Sequence, residues 1–237
     1  MAKYLTGKEL LDEIQRCKST YCTFLEDRYS HYDMTVSEGE EIDIEIIRET
    51  ARELCKEPHE LVIRKMTHDH IPHDEGRRRV SKITGEKHAK TSFPPFKHYI
   101  YEDGLREVGR SHWEGDFETG HFTNTKGRMS NRLARMFMMM AERYSRKPNF
   151  HGYSYRSDMV AAAMTHLADV GLQFNESKSN NPFAFYTTTI HRVFLRILKN
   201  EKKHQAIRDD LLIDAGYTPS SGRQVTDAVK NKTNYSS

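Results

Sequence analysis

Apolar residues recur with the period of an α-helix along the stretch that begins at Asn181-Pro182. An asparagine followed by a proline is a typical helix start, because the asparagine caps free N–H groups and the proline fits the first turn. The apolar positions on one face are Phe183, Tyr186, Ile190, Val193, Phe194 and Ile197. The pattern continues to Asp214, ahead of Gly216, so the sequence predicts one long helix that buries one face.

The opposite face of this helix carries positive charge. Its basic residues lie at positions i, i+4, i+7 and i+11 and form one line, the basic stripe: Arg192, Arg196, Lys199 and Lys203. Phe185 and Thr189 lie at the start of this line. Such a face can follow a phosphate backbone while an aromatic ring contacts bases at one end. On periodicity alone, a solvated charged face on a surface helix explains the pattern equally well.

Two shorter amphipathic helices precede the long one. The first has apolar residues from Leu133 to Tyr144, and its methionines are typical core filling. The second begins at a capping Ser157 and ends at Gly171. The sequence therefore predicts a mainly α fold: a three-helix domain with a long basic third helix, preceded by a mixed, partly extended N-terminal region.

The first half of the chain has weaker patterns. A capping box, Thr6 to Glu9, predicts a helix over residues 7–18, and a second helix ends before Pro58. Residues 61–66 are rich in β-branched residues and predict a strand. Little periodicity follows, so we expect an extended segment that lies across another surface. The predicted divisions are a mainly helical region 1–75, a linker-like segment 76–126, the helical domain 127–216 and a loosely ordered polar tail 217–237.

Composition and charge narrow the function classes. The 237 residues are 30% charged, and no apolar run approaches the roughly 18 residues that span a bilayer. With no apolar segment at the N-terminus, the sequence predicts an intracellular protein without a membrane partner. Between Arg192 and Arg208, six basic residues and one acidic residue give +5, so the rest sums to −2 against the overall +3. The positive field is local, which favours a binding site.

A cluster of histidines and carboxylates offers a different chemistry. Its candidate metal ligands or acid–base groups are His68, Asp69, His70, His73 and Glu75. They suggest a metal-dependent nuclease whose basic helix holds the substrate. A polar loop before a basic run explains the same residues, since no predicted element makes them converge, and we predict no metal or cofactor.

Several runs of residues resemble the second conserved region of bacterial sigma factors, in order and in spacing. The resemblance covers residues 127–219 and is strongest to the late-transcription sigma factors of T-even-like phages, including those of cyanobacteria. Residues 105–113 also look like the segment before this region in the cyanophage versions. The matching runs are Asn131 to Leu133, Ala141 to Tyr144, Phe150 to Tyr153, Ser157 to Met159, Gly171 to Glu176, Asn181 to Tyr186, Glu201 to Lys203 and Ile207 to Asp210.

The resemblance implies two binding faces. In that family the second helix docks on the clamp helices of the largest subunit of core RNA polymerase, and the third reads and helps to open the minus-ten promoter element. The implied polymerase-binding residues are Asp158, Ala161, Ala162, Thr165, His166 and Asp169. The implied DNA-binding residues are Phe183, Phe185, Tyr186, Thr189, Arg192, Val193, Arg196, Lys199 and Lys203.

The chain also departs from general sigma factors. It has Thr189-Ile190 where they carry a tryptophan pair, a lack shared by the late-phage class, and apolar Ala161 to Ala163 where they place polar residues. No second helix-turn-helix motif is visible. The family implies a phage co-activator and a sliding clamp as further partners, but the tail lacks the acidic–hydrophobic motif that binds the clamp in T-even versions.

The sequence thus predicts a non-enzymatic phage sigma factor, acting in the cytoplasm of an infected bacterium. It would bind core RNA polymerase and recognise and help to melt an A/T-rich minus-ten element. The alternatives are the nuclease and a polymerase-binding co-activator that makes no DNA contact.

Overall fold

The computed structural model describes residues 5–72, 91 and 93–234. The elements in the first half are α1 (Gly7–Lys18), β1 (Cys22–Phe24), β2 (Met34–Val36), α2 (Ile44–Glu53) and β3 (Ile63–Met66). Four strands follow: β4 (Phe96–Tyr101), β5 (Leu105–Ser111), β6 (Trp113–Glu114) and β7 (His121–Phe122). The second half holds α3 (Asn131–Ser145), α4 (Arg156–Val170), α5 (Pro182–Asp214) and α6 (Ser221–Asn234).

The prediction of a mainly α fold is wrong, because the chain mixes helices with a substantial sheet. Five strands form one sheet in the order β1-β5-β4-β3-β2, and β6 and β7 form a separate ribbon. The strands β2 and β3 run parallel, and the other neighbours in the large sheet are antiparallel. The segment predicted to be linker-like supplies four of these seven strands.

A hairpin joins β4 to β5 at the centre of the sheet. Burial alternates along β4, since Phe96, His98 and Ile100 are buried while the residues between them are half-buried. The turn contains Asp103 and Gly104, both with positive φ, where backbone of this shape favours glycine and tolerates aspartate. An Asp-Gly pair between two alternating runs is a hairpin signal that the sequence analysis overlooked.

One face of the sheet is covered by α2. A small apolar cluster seals this contact, consisting of Val36, Ile47, Ala51, Leu61 and Ile63. The other face carries the side chains of Arg64, Phe96 and His98. Phe96 belongs to the main apolar core, so this face of the sheet packs toward the helices of the second half.

The main core is shared between α1 and the helices α3, α4 and α5. Leu10, Ile14 and Cys17 from α1 pack in the same cluster as Phe137 and Phe194. The capping box at Thr6 and Glu9 is present, and α1 spans the predicted residues. The first and second halves of the chain therefore meet in one hydrophobic core.

The long helix α5 spans the predicted residues, and its predicted cap is confirmed. The side chain of Asn181 accepts a hydrogen bond from the Ala184 N–H at 3.1 Å, and the predicted apolar positions Tyr186, Ile190, Val193 and Phe194 are buried. The polar tail, predicted to be loosely ordered, contains α6, which is held to α5 because Asp209 accepts two hydrogen bonds from Ser220. Within the described ranges, no helix is both long and apolar enough to cross a bilayer.

Candidate nucleic-acid interface

A groove of about 1140 Å³ runs between the first half of α5 and the N-terminal region. The α5 side is formed by Ala184, Phe185, Thr188, Thr189 and Arg192. The segment between α4 and α5 contributes Gln173, Phe174, Asn175, Ser177, Lys178, Ser179 and Asn181. The N-terminal side consists of Ser37, Glu38, Met66, His68, Thr91, Phe93, Pro94 and Pro95. Apolar side chains and a larger number of polar side chains thus line the same concavity.

Three of the predicted DNA-binding residues line the groove. Phe185 is half-buried, with its ring centroid 5.6 Å from that of Phe174. Thr189 is also half-buried and donates its hydroxyl to the Phe185 carbonyl at 2.9 Å. Arg192 is exposed and lies one turn further along the helix. The groove therefore opens onto the first residue of the basic stripe.

The remaining residues of the basic stripe extend away from the groove along α5. Arg196, Lys199 and Lys203 are exposed. No described carboxylate forms an ion pair with any residue of the stripe. Such cations are free to bind phosphate, since no fixed anion competes for them.

Two other predicted DNA-binding residues lie in the core. Tyr186 is 0% exposed, its hydroxyl donates to the Gly171 carbonyl at 2.5 Å, and its ring centroid lies 4.6 Å from that of Phe137. Burial raises the pKa of the Tyr186 phenol. Val193 is buried as well, and Phe183 is half-buried beside Gly7. In this conformation Phe185 is therefore the aromatic side chain on α5 that faces the groove.

A buried charge cluster fixes the segment that leads into α5. Glu176, in that segment, accepts a hydrogen bond from Lys18 Nζ at 2.6 Å, and its other oxygen lies 3.7 Å from Arg64 Nη1. The Lys18 ammonium also donates to the Phe174 carbonyl. Lys18 and Arg64 are 0% exposed, so the cluster ties α1 and β3 to the floor of the groove. We name these three side chains, Lys18, Arg64 and Glu176, the buried charge cluster.

The Arg64 guanidinium is further held by aromatic rings and by a histidine. Its central carbon lies 3.8 Å from the Tyr32 centroid and 3.9 Å from the Phe96 centroid, a double cation–π contact. Arg64 Nε donates to His98 Nε2 at 2.9 Å, so His98 donates from Nδ1 to the Tyr29 carbonyl at 2.6 Å. Burial, and then the Arg64 charge, hold the pKa of His98 well below its usual range, which keeps the imidazole neutral.

Burial also dominates the ionisation of Lys18. It lowers the Lys18 pKa to about 8, although the Glu176 carboxylate acts in the opposite direction. Desolvation of the ammonium therefore outweighs its attraction to the carboxylate, as is common for ion pairs deep in a protein.

The predicted polymerase-binding residues share one face of α4. Asp158, Ala161, Thr165 and Asp169 are exposed, while Ala162 and His166 are half-buried. The Thr165 hydroxyl donates to the Ala161 carbonyl at 3.1 Å, and Asp169 lies 3.6 Å from the Lys126 ammonium. This face is accessible to a partner and carries two alanines, a threonine and a histidine between its two aspartates.

The structure does not bring the histidine–carboxylate cluster together as a metal site. His68 Nδ1 lies 2.6 Å from Glu38 Oε1, whereas His70 Nε2 lies 2.9 Å from the Ser111 carbonyl oxygen. His73 and Glu75 lie outside the described residues. Across the described parts of the chain, no three His, Cys, Asp or Glu side chains are grouped to hold a metal ion.

The N-terminal side of the groove and the buried charge cluster were not predicted from the sequence. Glu38 and His68 meet because β2 and β3 pair in parallel, and Lys18 and Glu176 are 158 residues apart in the chain.

Comparisons of this chain with protein-family models, with curated proteins and with solved structures found no match.

Proposed function

We propose that this chain is a phage sigma factor that binds bacterial core RNA polymerase and directs it to late promoters. It recognises and helps to melt an A/T-rich minus-ten element inside the infected cell and catalyses no reaction of its own. The observation that carries this proposal is the continuity between the groove at Phe185 and the basic stripe. An aromatic ring beside a line of cations that have no ion-pair partner among the described residues suits a DNA strand whose bases have become unpaired.

The two proposed binding faces lie on different helices, with the DNA-binding face on α5 and the polymerase-binding face on α4. The stripe on α5 holds phosphates and positions the strand, because phosphate contacts carry no sequence information by themselves. Phe185 stacks on an unpaired base next to Thr189. The exposed face of α4 around Asp158 and Ala161 docks on the clamp helices of the polymerase. A co-activator and a sliding clamp are further partners that the sequence resemblance suggests.

Co-purification with bacterial core RNA polymerase tests the first half of the proposal. The holoenzyme is then tested for transcription from promoters with an A/T-rich minus-ten element and for crosslinking of α5 to that element. Binding to polymerase without a DNA crosslink would instead identify a co-activator. Failure to bind polymerase would overturn the proposal.

Phe185→Ala tests the role of the ring in promoter opening. Loss of one base stack, worth about 1–3 kcal/mol, reduces open-complex formation by about 5- to 150-fold. The measurement is permanganate reactivity of promoter thymines. On a promoter already unpaired at the minus-ten element, the variant recovers much of the lost activity.

The matched control is Phe117→Ala, which truncates another half-buried phenylalanine that does not line the groove. The melting temperatures of both variants are compared with that of the wild type, because Phe185 also packs against Phe174 and Tyr186. A stability loss that accounts for all of the lost opening would show that Phe185 is only a packing residue.

A further inference from the structure

The side of the groove opposite α5 carries a carboxylate that contacts an imidazole. Glu38 lies two residues beyond β2 and His68 two residues beyond β3. The parallel register pairs Val36 with Lys65, so both residues leave the sheet at the same edge. Their side chains meet at 2.6 Å, between His68 Nδ1 and Glu38 Oε1, and both line the groove.

The groove presents its chemical groups in an arrangement that fits a nucleotide. Arg192 and Lys178 supply positive charge, Phe185 supplies a ring face, and Glu38 supplies a hydrogen-bond acceptor from the N-terminal side. A nucleotide has the matching parts: an anionic phosphate, a flat base and a polar base edge. The volume of about 1140 Å³ exceeds the roughly 300–1,000 Å³ of most small-ligand pockets, so a strand segment fits.

An ionised carboxylate accepts hydrogen bonds and donates none. It can therefore accept from the amino group of adenine or cytosine. Thymine has a carbonyl oxygen at the corresponding position, and its remaining donor, N3–H, lies between two carbonyl oxygens that repel the carboxylate. The side chain of Glu38 is 54% exposed and that of His68 is 31% exposed, so both can be reached from the groove. His68 holds one carboxylate oxygen in place and so restricts the direction of the other.

Building on the proposed function, we propose that Glu38 is a specificity-determining residue for an unpaired base. It favours a base with an amino group at the position where thymine has its O4 carbonyl, namely adenine or cytosine, over thymine in the groove. His68 is a positioning residue that orients the Glu38 carboxylate.

The test measures binding of single-stranded DNA to the holoenzyme by fluorescence anisotropy. The probes are labelled twelve-nucleotide homopolymers of dA, dC and dT, which make the unknown register of the strand irrelevant. Each variant is scored by its ratio of dA to dT affinity and of dC to dT affinity. Comparison of variant with wild type on the same probes cancels the intrinsic differences between homopolymers.

Glu38→Gln replaces an acceptor by a group that also donates, so it can bind thymine. A base contact of this kind discriminates by about 5- to 150-fold, and Glu38→Gln lowers both ratios by at least about fivefold. His68→Ala lowers the ratios in the same direction by a smaller factor. The matched control is Glu41→Gln, which removes the same charge nearby from an exposed residue that does not line the groove.

The outcomes separate this inference from the function on which it rests. Tight binding of DNA with ratios that Glu38→Gln leaves unchanged would overturn the specificity role alone. Equal changes in Glu38→Gln and Glu41→Gln would assign the effect to general charge, which also overturns it. A wild-type holoenzyme that binds none of the three probes would overturn the proposed function together with the inference.

Discussion

The cations of the buried charge cluster and those of the basic stripe carry the same charge in opposite surroundings. Lys18 and Arg64 are fully buried against Glu176, and Arg64 also lies against two aromatic rings. The four residues of the stripe are exposed on α5 and have no described acidic partner. The buried cations have already given up their water for fixed partners, so they serve the fold. The exposed cations keep their hydration and can exchange it for phosphate.

The largest expected effect comes from removing the one carboxylate of the buried charge cluster. Glu176→Gln leaves two cations buried without a counter-charge, and the loss of one partner of a buried pair costs about 3–5 kcal/mol of unfolding free energy. Urea unfolding followed by circular dichroism measures the change.

The control for this variant is Glu201→Gln on α5. Glu201 lies 3.8 Å from His204 in an exposed pair, and loss of such a pair changes stability by about 0.5 kcal/mol or less. Similar losses in the two variants would contradict the distinction between the buried and the exposed charges.

The next effect is expected on DNA binding and spares the fold. Replacing Lys199 and Lys203 by Ala removes two phosphate contacts, each of which contributes about 0.9 to the slope of log affinity against log salt. The slope therefore becomes shallower by about 2, and affinity at 0.1 M salt falls roughly 60-fold, or about 2.5 kcal/mol.

Promoter binding by the holoenzyme over a series of salt concentrations checks this prediction. The control is the double variant Arg48→Ala and Arg52→Ala, which removes two exposed cations from α2. A loss confined to particular promoters, with an unchanged salt slope, would mean that the two lysines read bases.

The smallest effect concerns the pH dependence of stability. The Lys18 pKa is about 8 in the folded chain, whereas a lysine exposed to water, as in the unfolded chain, has a pKa of 10.5. Between these two pH values the unfolded chain therefore binds more protons than the folded chain. Stability of the wild type therefore rises with pH through this window, relative to Lys18→Met, by at most about 1.4 kcal/mol per pH unit.

Unfolding free energies of the wild type and of Lys18→Met at pH 7.5, 8.5 and 9.5 test the sign. The difference between the two proteins is taken at each pH, because Cys22 and the tyrosines titrate in both and their contributions then largely cancel. A difference that stays constant over this range would show that attraction to Glu176 at least offsets the burial of Lys18.

The helices before the tail were predictable because they carry their own signals, whereas α6 lies in the tail that was predicted to be loosely ordered. In α1 and α5 the caps at Thr6 and Asn181 and the spacing of apolar residues fix the helix start and the buried face within a few turns of chain. The basic stripe followed from the same geometry. Local chemistry was therefore enough for the part of the candidate site that lies on one helix.

The sheet was harder to predict because its strands are short and pair over long distances. β1 has three residues and pairs with β5, and Cys22 lies opposite Ser111. The turn at Asp103 and Gly104 did carry a local hairpin signal. Lys18 is the last residue of α1, a position where a lysine is usually exposed to solvent. Its burial depends on Glu176, which is distant in the sequence and packs against it only in the folded chain.

The geometry of α5 fixes the length of the proposed DNA interface. From Arg192 to Lys203 the helix rises about 16 Å at 1.5 Å per residue. Phosphates of one strand of duplex DNA are spaced about 3.4 Å along the duplex axis, so a stripe parallel to that axis spans about five nucleotides. Because the stripe lies on a single unbroken helix, this footprint is set by backbone hydrogen bonds. The helix thus holds each basic residue of the stripe at a fixed distance from the groove.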